Sequence, residues 1–295
     1  MEESAHAACL QPQLGGRSRR CGSPAGEVEV TAPGIDTCSL VPLYIEAFFG
    51  DQLLGGATAF PWLRLDGRLS LLTNWHVVSG RNNETYEVTH TQGGIPDHLR
   101  VHVPLNDRDR PPLIVRVPTV SADGEPLWIE HPEHGRTVDI AALDVDLPPP
   151  GEASLMPMNV VRTVALKQRI GMPIFILGYP FGRLGIGLPV WKQATFASEP
   201  FFTASKHQRY LIVDTASRPG MSGSPVIQRA HGQIELEGTH GRIEAGDGAV
   251  NFIGIYSGRF HTNDPSDAQL GRVWPAVLVR EVVAAAEACA RARFD

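Results

Sequence analysis

Ser222 lies in a stretch whose residues could perform nucleophilic chemistry. Segment 218–226 reads Arg-Pro-Gly-Met-Ser-Gly-Ser-Pro-Val, which places a serine between glycines with an apolar run on each side. The pattern predicts strand, sharp turn and strand, because glycine permits backbone conformations that a side chain forbids. In such a turn the amides of Gly220 and Ser222 can face the Ser222 hydroxyl side and stabilise a developing oxyanion. Glycine and serine are also common in ordinary hairpin turns, so the stretch alone leaves that alternative open.

A serine hydroxyl needs a base to take its proton, and the base needs a group that orients it. His76 follows an apolar run in segment 71–78, Leu-Leu-Thr-Asn-Trp-His-Val-Val, although a lone histidine there is also typical of a structural strand end. Asp139 lies within an apolar run, where a carboxylate is costly to bury unless it is hydrogen-bonded, for example to a histidine N–H. Asp144 and Asp146 are rival carboxylates, but they alternate with Val145 and fit the solvent face of a strand.

The order His76, Asp139, Ser222 matches the order of the chymotrypsin-like triad and differs from that of α/β-hydrolases and subtilisins. The motifs around these three residues resemble those of the trypsin/chymotrypsin superfamily. Two further stretches, 176–182 (Ile-Leu-Gly-Tyr-Pro-Phe-Gly) and 254–258 (Gly-Ile-Tyr-Ser-Gly), resemble loops of its bacterial HtrA-type and glutamyl-endopeptidase-type members. The resemblance covers about residues 41–274, and no stretch is expected to form a PDZ domain.

The resemblance implies an all-β fold with two six-stranded antiparallel β-barrels of the chymotrypsin type and a C-terminal α-helix. We expect a mobile N-terminal tail over 1–39, a first barrel over 40–150 with His76 and Asp139, and a second over 151–274 with Ser222. Three prolines at 148–150 mark the boundary, because they cannot continue a central strand. A helix is expected over 275–295, with Glu281 facing water.

By the same resemblance, the chain is expected to be a serine endopeptidase that acts on polypeptides through an acyl-enzyme. Ser222 would be the nucleophile, His76 the general base and Asp139 the group that orients His76, while the amides of Gly220 and Ser222 would form the oxyanion hole. Two alternatives stay open: a catalytically weak binding or regulatory protein with a protease fold, and an esterase that uses the same triad.

A substrate pocket is expected from residues on both sides of the nucleophile: Ala216, Ser217, Ile255, Tyr256, Ser257 and Gly258. Ala216 stands six residues before Ser222, where relatives that cleave after arginine or lysine carry an aspartate. Tyr256 stands where glutamyl-endopeptidase-type members carry a histidine, although Arg259 follows closely. These differences predict a preference for a small or medium apolar side chain.

Composition and charge argue against two kinds of binding partner, nucleic acid and membrane. The 295-residue chain has a formal net charge of −6, which argues against nucleic acid as a partner. It has neither an apolar signal-peptide core nor a run long enough to span a membrane, so no membrane partner is expected. The sequence does not indicate an oligomeric state.

The cysteines and histidines predict no metal and no cofactor. Cys9, Cys21, Cys38 and Cys289 leave residues 39–288 without cysteine and show no zinc-ligand spacing. This pattern fits either a reducing compartment or a bacterial protein that needs no disulfides, and we expect a cytoplasmic protein. A His-Pro-Glu-His stretch at 131–134 is interpreted as a loop, since no partner carboxylate is evident beside the pair.

Overall fold

The architecture consists of two antiparallel β-sheets and one long helix near the C-terminus. The computed structural model describes residues 34–148, 152–182, 187–200, 209–260 and 269–292. The strands in these ranges are β1 (Leu43–Phe49), β2 (Gln52–Leu63), β3 (Leu69–Thr73), β4 (His98–Val103), β5 (Leu113–Pro118), β6 (Trp128–Ile129), β7 (Ala141–Val145), β8 (Pro173–Gly178), β9 (Val190–Phe196), β10 (Leu211–Asp214), β11 (Pro225–Glu235), β12 (Arg242–Arg259) and β13 (Leu270–Pro275). The helices are α1 (Trp75–Ser79) and α2 (Ala276–Ala292).

The first sheet has the order β5-β4-β1-β2-β3-β7-β6. Its strands alternate buried and more exposed side chains, so Leu43 and Ile45 of β1 are fully buried while Tyr44 between them and Glu46 after them are partly exposed. The sheet has seven strands rather than the predicted six, because the two-residue β6 pairs with β7 at the edge.

The second sheet is a closed six-stranded barrel in the order β10-β13-β12-β11-β8-β9, which confirms the predicted all-β, double-barrel class for this half. Its longest hairpin is formed by β11 and β12. Segment 234–243 has a polar composition typical of a turn, yet the two strands remain paired out to Glu235 and Arg242. Ile234 explains the extension, because it is buried in a small cluster with Leu166 and Ala249.

A shared apolar core joins the two sheets and the C-terminal helix. Phe60, Leu72 and Ile140 of the first half belong to one buried cluster with Ile227 and Ile255 of the second. The buried face of α2 completes this cluster: Ala276, Val279, Val282, Val283 and Ala286. This shared core therefore fixes the positions of residues at the neighbouring ends of the two sheets relative to each other.

The segment before β1 is more ordered than predicted. Residues 1–33 of the predicted tail lie outside the described residues, but a short 3-10 helix at Thr37–Leu40 packs on the protein body. Cys38 is buried, and the Trp191 indole Nε1–H donates to Ser39 Oγ at 2.8 Å. The two cysteines in the described ranges, Cys38 and Cys289, are free thiols. Among the helices described, none is long and apolar enough to cross a membrane.

Candidate active site

His76 is presented by α1, a five-residue helix that directly follows β3. Val77 and Val78 of this helix are buried, so the imidazole faces away from the core and is partly exposed. Gly80 ends the helix with φ +64°, a left-handed conformation that glycine adopts without strain. Asn74 Nδ2 donates to the Asp139 carbonyl oxygen at 2.8 Å, which fixes the start of the helix against the segment that carries the carboxylate.

Asp139 is held by three hydrogen bonds although its side chain is only 1% exposed. His76 Nδ1 lies 2.7 Å from Oδ2, the His76 backbone N–H donates to Oδ1 at 2.8 Å, and the Ser257 hydroxyl donates to Oδ2 at 2.7 Å. Burial acts to raise the pKa of this carboxyl, but the His76 charge and these hydrogen bonds outweigh it and hold the pKa below its ordinary value. Asp139 is therefore a buried carboxylate that orients His76 through Nδ1.

Ser222 occupies a turn that two glycines make feasible. Gly220 has φ +98°, and a Cβ there would lie 2.2 Å from the Tyr179 carbonyl oxygen. Gly223 has φ +81°, and a Cβ there would lie 2.0 Å from the Thr58 carbonyl oxygen. Both positions exclude a side chain on grounds of space as well as of conformation.

The backbone amides of Gly220 and Ser222 are the donors predicted for the oxyanion hole. The Phe181 N–H donates to the Pro219 carbonyl at 3.2 Å, and in a trans peptide the Gly220 N–H points in the opposite direction. Within the described ranges, neither the Gly220 nor the Ser222 N–H has an acceptor. The Ser222 carbonyl, in contrast, accepts from the Thr58 N–H at 2.8 Å, so both halves of the molecule fix this turn.

His76 and Ser222 meet where two surface clefts join. One cleft, of about 360 Å³, and a second, of about 280 Å³, are both lined by these two residues. In the described part of the chain no hydrogen bond joins His76 to Ser222. Such bonds are often long in unliganded enzymes and shorten when substrate binds.

The predicted pocket residues separate into two groups. Ser217, Ser257 and Gly258 line the larger cleft. Ile255 and Tyr256 do not, because they are fully buried: Ile255 lies in the core shared by the two sheets, and Tyr256 lies inside the second barrel, where its hydroxyl donates to Ser217 Oγ.

Ala216 is exposed and lies outside the cleft lining, so it is not one of the pocket residues, in contrast to the prediction. Arg218, Phe260 and Arg272 were not predicted to belong to the site, although all three line the larger cleft. Arg272 follows Ser222 by 50 residues and carries no local motif, so no sequence signal identified it.

His131, in the stretch that the sequence predicted to be a loop, bonds to the C-terminal helix α2. The sequence did not predict this contact. His131 Nε2 lies 2.7 Å from Glu281 Oε2 on α2, and the rings of His131 and His134 stack. Nowhere in the described ranges do three or more His, Cys, Asp or Glu side chains form a cluster suited to a metal ion.

The lowered pKa of Asp139 predicts a specific loss of stability in acid. A carboxyl whose pKa is lower in the folded state stabilises the fold above its unfolded pKa, about 3.9, and loses this contribution as pH falls through the lower, folded pKa. We expect the free energy of unfolding of the unaltered protein to fall more steeply below about pH 4 than that of Asp139→Asn. Urea unfolding at pH 6 and pH 3 measures the free energy of unfolding of each protein. Asp51 is exposed, so Asp51→Asn is the control and should lose as much stability in acid as the unaltered protein. Equal pH slopes for the unaltered protein and Asp139→Asn would refute the assignment.

Thr58 links the nucleophile turn to the first sheet. Its hydroxyl donates to the Gly220 carbonyl at 2.8 Å and accepts from the Tyr179 N–H at 3.2 Å, and the residue is fully buried. Thr58→Val keeps the shape but removes both hydrogen bonds that the buried hydroxyl makes with backbone groups, so we expect the free energy of unfolding to fall by about 2 kcal/mol in urea titrations. Thr58→Ser retains the hydroxyl and should lose less; an equal loss in both variants would assign the effect to packing.

Comparison with known proteins identifies the family of this chain. Residues 62–234, more than half of the chain, match the family model of the trypsin-like peptidase domain, and the chain belongs to this family. No curated protein sequence is significantly similar to it. Among solved structures, the serine endoprotease from Yersinia pestis is 16% identical over 84% of this chain and 62% of its own, with a TM-score of 0.46. The HtrA-type protease AlgW with a tripeptide is 17% identical over 84% of this chain and 60% of its own, with a TM-score of 0.45. The chain thus spans about three fifths of the length of these two proteins.

Proposed function

We propose that the protein is a serine endopeptidase that cleaves polypeptides through an acyl-enzyme on Ser222. The observation that carries the proposal is the His76 Nδ1 contact of 2.7 Å with buried Asp139, in a cleft that Ser222 also lines. The N–H groups of Gly220 and Ser222, which have no acceptor among the described residues, would stabilise the oxyanion. Family membership supports the same reaction class.

The first half of the reaction forms the acyl-enzyme on Ser222. His76 Nε2 takes the proton from Ser222 Oγ, which attacks the substrate carbonyl. The negative charge that forms on the carbonyl oxygen is stabilised by the N–H groups of Gly220 and Ser222. His76 then gives its proton to the leaving amine, and the C–N bond breaks.

Hydrolysis of the acyl-enzyme repeats the sequence with water. His76 removes a proton from water, the hydroxide attacks the ester carbonyl, and the proton returns to Ser222 Oγ as the acid product leaves. Asp139 retains its charge throughout, fixes the tautomer of His76 through Nδ1 and stabilises the imidazolium.

A polypeptide is favoured over a short ester because the clefts extend to both sides of Ser222. A substrate with groups on both sides of the cleaved bond gains contacts in each cleft, whereas a short acyl ester occupies one of them. We expect casein or a peptide mixture to be turned over with a higher kcat/KM than p-nitrophenyl acetate. Turnover of the ester alone, with no peptide cleavage, would assign the triad to an esterase.

A further inference from the structure

The two clefts that meet at His76 and Ser222 differ in charge. The larger one is called here the arginine cleft, after three arginines in its lining: Arg218, Arg259 and Arg272. The smaller one, the neutral cleft, runs along β1, β2 and the segment after α1. Its described lining contains no lysine, arginine, aspartate or glutamate.

The positive charge of the arginine cleft is only partly neutralised. Of the described residues that line it, Asp139 is the one carboxylate, and its oxygens are bonded to His76 and Ser257. Arg272 pairs with Glu84, with Nη1 at 2.6 Å from Oε1. The Arg272 guanidinium is also held against two rings, with centroids at 5.5 Å (Tyr210) and 4.7 Å (Phe260). Arg272 is therefore a fixed charge with a partner of its own.

Arg218 and Arg259 have no such partner: neither forms an ion pair with any residue that the structure describes. Arg259 ends β12, two residues after Ser257, whose hydroxyl is bonded to Asp139. Its backbone is therefore held close to the reactive groups, and no carboxylate of the described residues neutralises its guanidinium. Arg218 lies four residues before Ser222 and is exposed.

The charge of Arg259 reaches the inner wall of the cleft. Burial raises the pKa of the Tyr256 hydroxyl to about 12, while the positive charges of Arg259 and Arg272 act to lower it. That hydroxyl is bonded to Ser217, which lines the cleft. A carboxylate beside Ser217 would therefore lie in a positive field inside a partly desolvated site, where charged hydrogen bonds are stronger than in water.

The reaction geometry assigns the arginine cleft to the acyl part of the substrate. The second barrel provides Ser222, the amides for the oxyanion and most of the arginine cleft, so the carbonyl that is attacked lies over this side. His76, which protonates the leaving amine, belongs to the first half of the chain, and the same half provides most of the lining of the neutral cleft. The residues before the cleaved bond thus face the arginines, and those after it face the neutral cleft.

We propose that Arg259, with Arg218, binds an acidic side chain of the substrate on the acyl side of the cleaved bond. The protein would then select polypeptides with aspartate or glutamate shortly before that bond. This specificity rests on the proposed endopeptidase function. It replaces the apolar preference expected from the sequence, which took Ala216 and Tyr256 as pocket lining.

Cleavage of a peptide library, read by mass spectrometry, tests the preference. We expect aspartate and glutamate to exceed asparagine and glutamine by about tenfold or more at one of the three positions before the cleaved bond. Arg259→Gln should bring the ratio close to one, and Arg259→Lys should restore part of it, because it returns the charge without the planar fork. Arg291→Gln is the matched control: Arg291 is exposed on α2, outside the cleft, and this variant should keep the full preference. Equal cleavage of acidic and amide peptides by the unaltered protein would overturn the proposal.

A binding measurement separates this proposal from the catalytic one. Fluorescein-labelled peptide mixtures with glutamate or glutamine in a central three-residue block are titrated into full-length Ser222→Ala, which cannot acylate. We expect about tenfold tighter binding of the glutamate mixture, an advantage that shrinks between about 0.05 M and about 0.5 M salt. Equal affinities would overturn the specificity whether or not the unaltered protein is active. An acidic preference in binding, combined with no peptide cleavage by the unaltered protein, would instead contradict the proposed function alone.

Discussion

Ser222→Ala is expected to reduce kcat for peptide hydrolysis by about a million-fold while the protein stays folded. The hydroxyl is the only group in the proposed reaction that forms a bond to the substrate, and alanine removes it without adding volume. Residual cleavage would come from the amides of Gly220 and Ser222, which remain in place. Steady-state kinetics with the library peptide that is cleaved fastest measures the loss of kcat. A circular dichroism spectrum of the variant tests whether the fold is retained.

Ser224→Ala is the matched control for this loss. Ser224 lies two residues further along the same turn and is fully buried, and its Oγ has no hydrogen-bond partner in the structure. Removing that hydroxyl should change kcat/KM only slightly, because it breaks no bond and touches neither His76 nor Asp139. Comparable losses in Ser224→Ala and Ser222→Ala would show that the turn, and not the Ser222 hydroxyl, limits activity.

Asp139→Asn is expected to reduce kcat by about ten-thousand-fold. An asparagine at this position can donate its amide hydrogen to His76 Nδ1, which favours the tautomer that carries the proton on Nε2. That nitrogen then cannot accept the Ser222 proton. The loss should therefore be large even though the shape of the site is preserved and Ser222 itself is unchanged.

Asp144→Asn distinguishes the two carboxylates that the sequence left as rivals. Asp144 lies on β7, is about 40% exposed and pairs with the Arg64 guanidinium, so it is not bonded to His76 in the structure. Arg64 is fully buried and keeps Asp66 as a second partner at 2.9 Å. We expect nearly unchanged kinetics for Asp144→Asn; a severe loss there, with a mild one in Asp139→Asn, would move the role to Asp144.

The residues proposed to react could be selected from the sequence because each lies in a short local motif. The fold followed from the same motifs, and the closed second barrel and α2 agree with it. The mobile tail was predicted to extend to residue 39, but the packed structure begins before that residue. Nothing in the composition of residues 36–39 shows that Cys38 is buried or that Ser39 bonds to Trp191.

The lining of the cleft was harder to predict because it depends on contacts between distant segments. The orientation of Tyr256 toward the barrel interior depends on Gly271, where a Cβ would lie 2.6 Å from the tyrosine ring. The pair formed by Arg272 and Glu84 joins residues 188 positions apart. Glu281 faces water as expected, but its bond to His131, 150 positions earlier, was not predicted. None of these contacts leaves a pattern in the local sequence.

Reaction of the intact protein with a fluorophosphonate, followed by mapping of the adduct by mass spectrometry, tests the central claim most directly. The reagent forms a covalent bond with a serine only when a base activates the hydroxyl and amides accept the developing charge. We predict a single adduct on Ser222 that forms at least about a hundred times more slowly in His76→Ala and does not form in Ser222→Ala. An intact protein that stays unlabelled, or an adduct on another serine that persists in Ser222→Ala, would contradict the account.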